Sequence, residues 1–306
     1  MVSLVVPTRN RCYTLRLVAR SWYAQRNLDE IVFVDDCGED DTRAFVDELK
    51  LEFSSPTTKY LRNPVRRGAA ASRSVGVAHA NGGYVCFCDD DEYLEGDYLI
   101  GCLEYLERTG VGAVSGRRLY MNVGETIAQT IARCGSGEEG RPYFKSWLCE
   151  VDDRGFLAAV ESLPLVNAII LTRKSDLERF GFDDYYFRGN GYREESDYQM
   201  QLFLHGLENI MLSSVHSLHL PLDTVRVGGA RPARKRGLTK LLTYYWTVYN
   251  NAHFYKKYWR QYSKKMNIPL NLVGANIIFA LYHLRRQLLK PAYYVLVGSV
   301  GRAINR

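Results

Sequence analysis

"YVCFCDDDEYLEGDYL", residues 84–99, drives five mostly apolar residues into three consecutive aspartates and a glutamate. Tyr84 to Cys88 read as a short buried strand, opened by the turn residues Asn81, Gly82 and Gly83. Asp89, Asp90, Asp91 and Glu92 then stand in a row. Two unit charges ~4 Å apart repel by ~4 kcal/mol at a surface-like dielectric, so the row needs a counter-charge. Water, arginine or a metal ion can supply it.

Working outward, the first 120 residues alternate in period. Strand-like runs at 2–6, 30–36, 59–63 and 84–90 are separated by helical spacing at 14–25, 40–50 and 68–80, and a helix over 96–110 closes the run on Gly110. This alternation predicts an α/β fold with a mostly parallel sheet flanked by helices. Ligands of such sheets bind beyond the carboxyl ends of the strands. Three strand ends here are polar: Thr8 to Asn10, Asp35 with Asp36, and Asp89 to Asp91. Further on, 112–123, 165–173 and 209–215 read as strands and 193–206 as a helix, with a loop-rich stretch over 134–155. From Arg236 the pattern is helical and aromatic, in three segments that reach the end of the chain.

Charge divides the chain more sharply than its net +6 implies. Residues 224–306 hold 16 of the 40 Lys and Arg and no Asp or Glu, so residues 1–223 carry 24 bases against all 34 acids. An acidic body of residues 1–223 and a basic helical extension over 224–306 predict two jobs, the second with an anionic partner. Seven scattered cysteines without a C-x-x-C pair read as reduced thiols of a cytosolic chain. The opening "MVSLVVPTRN" lacks the basic start and long apolar run of a secretion signal.

The segments "VVPTRNR", "DEIVFVDDCGEDDT", "RRGAAASRSVGVAHANGGYVCFCDDDEYL" and "GYREESDYQMQLFLHG" resemble, in order and over about residues 1–220, the family 2 glycosyltransferases of the GT-A fold. The resemblance implies a nucleotide-sugar donor, UDP favoured, lying across the first half of the sheet. It implies that Pro7, Thr8, Arg9 and Asn10 border the donor, with Asp36 accepting a hydrogen bond from its base. Asp89 and Asp91 match the family's D-x-D motif, Asp90 lies between them, and Arg67 and Arg73 are expected against the donor. Arg66 reads equally well as a solvated turn.

The chemistry stands beside the resemblance. Asp89 and Asp91, two apart at a strand end, can face one side of a site and hold Mn²⁺ or Mg²⁺ with substrate phosphates. The same acids could instead form a turn capping the next helix. An acceptor hydroxyl attacking a sugar needs a base, and "YREESDYQ" offers Glu194, Glu195 and Asp197. The family's E-D-x-D pattern places the base at Glu195, where aspartate is commoner. A charged helix N-terminus would show the same acids. His216 and His219 follow a strand, and the resemblance favours His219 as a late metal ligand.

Between Leu241 and Tyr262 nine aromatic residues alternate with Lys256, Lys257 and Arg260. This pattern predicts a peripheral membrane interface, at the inner face of the cell membrane, rather than nucleic acid. Residues 266–284 are uncharged but contain Pro269, Gly274, His283 and three asparagines, which fits an interfacial or packed helix better than a span. The sequence thus predicts an inverting, metal-dependent glycosyltransferase acting on a lipid-linked or polysaccharide acceptor. Alternatives are a nucleotidyltransferase of sugar phosphates, for which no Gly-rich triphosphate loop is present, and a non-catalytic nucleotide-binding membrane adaptor.

Overall fold

Val2, Leu4 and Val6 face one side of their strand and Val5 the other, and both sides are buried, so the first strand lies inside a sheet covered on two faces. The computed structural model describes residues 1–134, 143–152, 160–187, 189–225 and 237–289. In chain order its first half runs β1 (Val2–Thr8), α1 (Cys12–Val18), α2 (Arg20–Tyr23), β2 (Glu30–Asp35), α3 (Thr42–Glu52), β3 (Thr57–Arg62), α4 (Gly68–His79), β4 (Tyr84–Phe87), β5 (Glu92–Leu94) and α5 (Tyr98–Thr109). Then come β6 (Ala113–Tyr120), α6 (Ile127–Cys134), β7 (Phe144–Lys145), β8 (Glu150–Val151), β9 (Glu161–Leu163), β10 (Ile170–Arg173), α7 (Lys174–Phe180), α8 (Glu194–Leu204) and β11 (Asn209–His219). Two helices, α9 (Gly237–Lys265) and α10 (Leu272–Leu284), follow.

The main sheet has the order β3-β2-β1-β4-β10-β6-β11-β5, with β9 also on β11. β3, β2, β1 and β4 are parallel, as are β6 and β11, while β10, β5 and β9 run antiparallel to their neighbours. The sheet is therefore the mostly parallel, helix-flanked one expected. One face packs Phe33 and Leu4 against Trp22, Phe45 and Leu99 from α2, α3 and α5. The other packs Val34 and Phe87 against Val77 of α4 and Tyr198 of α8. The small residues of α4 have a packing reason. A Cβ on Gly76 would lie 2.3 Å from Val5 Cγ1, so a larger residue would push this helix off the sheet.

Register sets the site. Thr8 pairs with Asp35 and Val5 with Phe87, so the carboxyl ends of β2, β1 and β4 lie side by side. The predicted helix at 14–25 is two segments joined at Ala19, which keeps helical dihedrals. The run at 165–173 pairs only from Ile170, because Asn167 caps the strand: its side chain bonds Gly116 O at 2.7 Å and Ile169 N at 2.9 Å.

The chain divides into two compact units. The first comprises Met1–Lys145, Cys149–Phe187 and Glu194–Gly228, and the second Ser146–Leu148, Arg188–Arg193 and Gly229–Arg306. In the second, α9 and α10 are antiparallel: Tyr244 donates to Ala280 O at 3.1 Å, and Trp259 Nε1 to Leu270 O at 2.8 Å. Arg193 is buried there, donating to Asn251 Oδ1 at 2.8 Å and Leu148 O at 3.0 Å. The predicted last helix, after residue 290, and half of the loop at 134–155 lie outside the described residues.

The tail aromatics differ from expectation. Phe254, Tyr255, Trp259 and Tyr262 are buried, and of the nine only Tyr245 is exposed. Those four form the core of the helical unit, because an amphipathic helix buries its largest apolar side chains first, while Tyr244, Trp246, Tyr249 and Tyr258 are part-buried. No described helix is long and apolar enough to cross a membrane. All seven cysteines are free.

Candidate active site

Three arginines organise the strand-end acids. Arg11, at the start of α1, places Nη1 2.6 Å from Asp90 Oδ1 and 2.9 Å from Asp91 Oδ2. Arg118, on β6, reaches Asp89 Oδ2 at 3.1 Å and bonds Glu92 Oε1 through Nε at 2.6 Å. Arg73, on α4, is fully buried and meets three carboxylates: Asp89 at 3.1 Å, Glu194 at 2.5 Å and Glu195 at 3.0 Å. Arg73 thus ties the end of β4 to the start of α8, joining two acidic motifs that lie over 100 residues apart in sequence. Arg11 and Arg118 went unassigned in the sequence. Their partners lie 26 to 80 residues away, and the only local signal was the arginine ending "VVPTRNR".

The acids titrate unequally. Burial pushes Asp90 up to about 6 against the pull of Arg11, and Glu92 up to about 8 against Arg118. Burial acts on Asp89 as well, but Arg118 and Arg73 outweigh it and hold this carboxyl below the usual range. Burial and the adjacent Glu195 push Glu194 up, with Arg73 opposing. Among the described residues, three guanidinium groups pair with the six carboxyl groups Asp89, Asp90, Asp91, Glu92, Glu194 and Glu195, so further positive charge is welcome in this centre.

Asp91, Glu92 and His219 offer donor atoms within 4.8 Å of one another. The residues fit a divalent cation on two observations. Glu92 Oε2 is buried without a hydrogen-bond partner. His219 Nδ1 lies 2.5 Å from Leu220 O, and an N–H donated there leaves the Nε2 lone pair facing Asp91 Oδ2, 3.5 Å away. A set of two carboxylates and an imidazole suits Mn²⁺, or Mg²⁺ with substrate oxygens. Asp89, expected among the ligands, has its oxygens on Arg73 and Arg118, and Glu92 stands in the donor cluster instead. His216 is held by Glu95 at 2.8 Å.

The other predicted residues take varied places. Thr8 is buried at the end of β1, after Pro7, and Arg9 has its Nε buried without a partner. Asn10 adopts φ 54°, a left-handed conformation that asparagine tolerates, and its Oδ1 accepts from Glu39 N at 2.6 Å. Asp36 accepts from Asn63 Nδ2, Arg67 N and Gly68 N at 2.7–2.9 Å, so it shapes the turn leading into α4. The Arg67 side chain is half exposed, 3.9 Å from Asp184. Glu194 is buried and also accepts from Ala70 N at 3.0 Å, whereas Glu195 keeps 27% of its side chain accessible. Asp197 is fully buried, accepting from Tyr186 at 3.1 Å and Gln201 at 3.2 Å. The three acids of α8 thus have three different surroundings.

A family model described as Glycosyl transferase family 2 matches residues 3–149. The uncharacterized glycosyltransferase of Haemophilus influenzae is 34% identical over 93 residues, which is 30% of either chain. The Escherichia coli UDP-Glc:alpha-D-GlcNAc-diphosphoundecaprenol beta-1,3-glucosyltransferase WfgD is 26% identical over 133 residues, 43% of this chain and 51% of that protein. Those two matches thus span under a third and about half of the relatives' own length. The Campylobacter jejuni GalNAc(5)-diNAcBac-PP-undecaprenol beta-1,3-glucosyltransferase is 25% identical, over 94% of this chain and 99% of that one. Among solved structures, S. aureus TarS 1–349 in complex with UDP superposes with a TM-score of 0.56 at 15% identity, covering 96% of this chain and 74% of that one. This likeness is one of fold, the GT-A fold.

Proposed function

Because the chain belongs to glycosyltransferase family 2, we propose that it moves a sugar from a UDP-linked donor to a hydroxyl of a lipid-linked acceptor, inverting the anomeric centre. The observation that carries this reading is the Arg73 junction, which sets Glu195 beside the strand-end acids. UDP is favoured because the E. coli relative is named for UDP-Glc, and a lipid-linked acceptor because two relatives are named for undecaprenol-linked glycans.

In this reading Glu195 takes the proton of the acceptor hydroxyl as its oxygen bonds the anomeric carbon. The bond from that carbon to the diphosphate breaks on the opposite face, and the electron pair leaves with the diphosphate. Glu195 is assigned the base because its carboxylate is accessible, while Glu194 is buried and fully engaged. Arg73 orients Glu195, and Arg118 with Arg73 fixes Asp89. Asp91, Glu92 and His219 would hold Mn²⁺ or Mg²⁺, which stabilises charge on a departing diphosphate. Thr8, Arg9 and Asn10, at the end of β1, border the nucleotide. The basic residues 224–306 hold the enzyme peripherally at the cytoplasmic face of an anionic membrane.

The test is a panel of UDP-sugars incubated with Mn²⁺ and an undecaprenyl-diphosphate-linked GlcNAc, read by mass spectrometry. One donor should give a product heavier by one glycosyl unit, with release of UDP. Absence of product and of UDP release with every donor contradicts the reading.

A further inference from the structure

α10 is apolar on both of its sides. It buries Ala275, Phe279 and His283 within its own unit, with the Phe279 ring 5.8 Å from Tyr255 of α9. Its other side exposes Val273, Ile277 and Leu281, spaced i, i+4 and i+8, at 66%, 54% and 59%. Leu272 and Ile278 are exposed beside them. An ordinary surface helix carries charges there, yet no charged residue occurs from Met266 to Leu284.

The neighbouring end of α9 repeats the pattern. Leu238, Leu241, Leu242 and Tyr245 are exposed at i, i+3, i+4 and i+7. Tyr244 touches Ala280, so this end of α9 lies beside the C-terminal part of α10. Exposed Arg285 and Arg286 follow α10, and Lys256, Lys257, Arg260, Lys264 and Lys265 are exposed on the other half of α9. Within residues 237–289, two neighbouring helices that both expose aliphatic faces, with cations near them and no acid, are unusual for a freely solvated unit.

We propose that the aliphatic face of α10, with the Leu238–Tyr245 edge of α9, inserts shallowly into the headgroup–acyl boundary of an anionic bilayer. This deepens the membrane reading of the proposed function and rests on it. Thirteen residues rise about 20 Å, short of a ~30 Å hydrocarbon core, so α10 lies in the interface rather than across it. Charge selects the occupant. A second copy would oppose two units that share 16 cations and no acid over residues 224–306, whereas anionic lipid complements them. Insertion is mainly aliphatic, because Phe254, Tyr255, Trp259 and Tyr262 of α9 are spent in the core.

The experiment is co-sedimentation of the full chain with phosphatidylcholine vesicles, with and without 30% phosphatidylglycerol, at low and high salt. The triple variant Val273→Ser, Ile277→Ser and Leu281→Ser should lose on the order of a hundredfold in partition coefficient on anionic vesicles. Ile277→Phe should retain binding. Melting temperature and UDP-sugar hydrolysis without acceptor should stay at wild-type level in both, since the three positions are exposed. Equal pelleting of wild type and triple variant overturns the proposal. So does a wild type that never pellets but elutes as a dimer that the triple variant dissolves. Vesicle binding that depends on the three residues in a chain that turns over no donor supports this face and contradicts only the reaction.

Discussion

The acidic centre at the strand ends and the helical hairpin of α9 and α10 bury opposite kinds of residue. The first buries charge: Arg73, Asp90, Asp91, Glu92 and Glu194 are all at most 7% exposed, and arginines supply the counter-charge. The second buries aromatics and exposes aliphatics, with Trp259 at 2% and Val273 at 66%. Buried ion networks rarely add stability over a packed apolar core, so their retention points to chemistry. An exposed aliphatic face adds nothing to the fold of its own unit, so its retention points to a partner. In each region the residues that folding alone would not place there mark the function.

The largest effect that separates catalysis from binding belongs to Glu195. Glu195→Gln should lower turnover by roughly two to four orders of magnitude, the range for losing a general base, and leave UDP affinity unchanged. Steady-state kinetics with calorimetric UDP titration check this, and near-normal turnover would move the base elsewhere on α8. Asp91→Asn should lower kcat/KM by about a hundred to a thousandfold and abolish the response of donor binding to Mn²⁺, which added chelator should reproduce in wild type. Arg73→Met leaves Glu194 and Glu195 without this cation and Asp89 with Arg118 alone, and urea unfolding should show about 3–5 kcal/mol of destabilisation. Trp259→Ala should cost about as much in unfolding free energy, for a cavity rather than a charge. Tyr245→Ala, at an exposed site on the same helix, should fall within about 0.5 kcal/mol of wild type. Equal costs at Trp259 and Tyr245 would break the contrast between buried and exposed faces of α9.

The parallel half of the sheet was legible because its signals are local: apolar runs of five, helical spacing between them, and polar residues at each strand end. β5 was missed. It has three residues, begins at the last acid of the row, Glu92, and pairs with β11 more than 120 residues later. The short helices α6 and α7 have too few residues for periodicity to declare itself. Within the site, the acids could be read from strand ends and from an E-E-x-D helix start, but their counter-ions could not. Arg11 and Arg118 reach the acids only through tertiary approach. Asp197 reads like Glu194 and Glu195 in sequence, yet one helical step turns it inward toward Tyr186. The aromatic tail misled for a related reason. Interleaving with cations reads the same whether the rings face lipid or their own core, and only the packing of α9 on α10 separates the two.

The proposed reaction depends on a metal-linked donor site built from Asp91, Glu92 and His219, with an accessible Glu195 as base. Calorimetric titration of UDP into wild type, Asp91→Asn and Glu195→Gln, each with and without Mn²⁺, tests it most directly. The account predicts tight binding to wild type and Glu195→Gln only when Mn²⁺ is present, and weak, metal-indifferent binding to Asp91→Asn. Equal UDP affinity in all three proteins, with or without the metal, would contradict it.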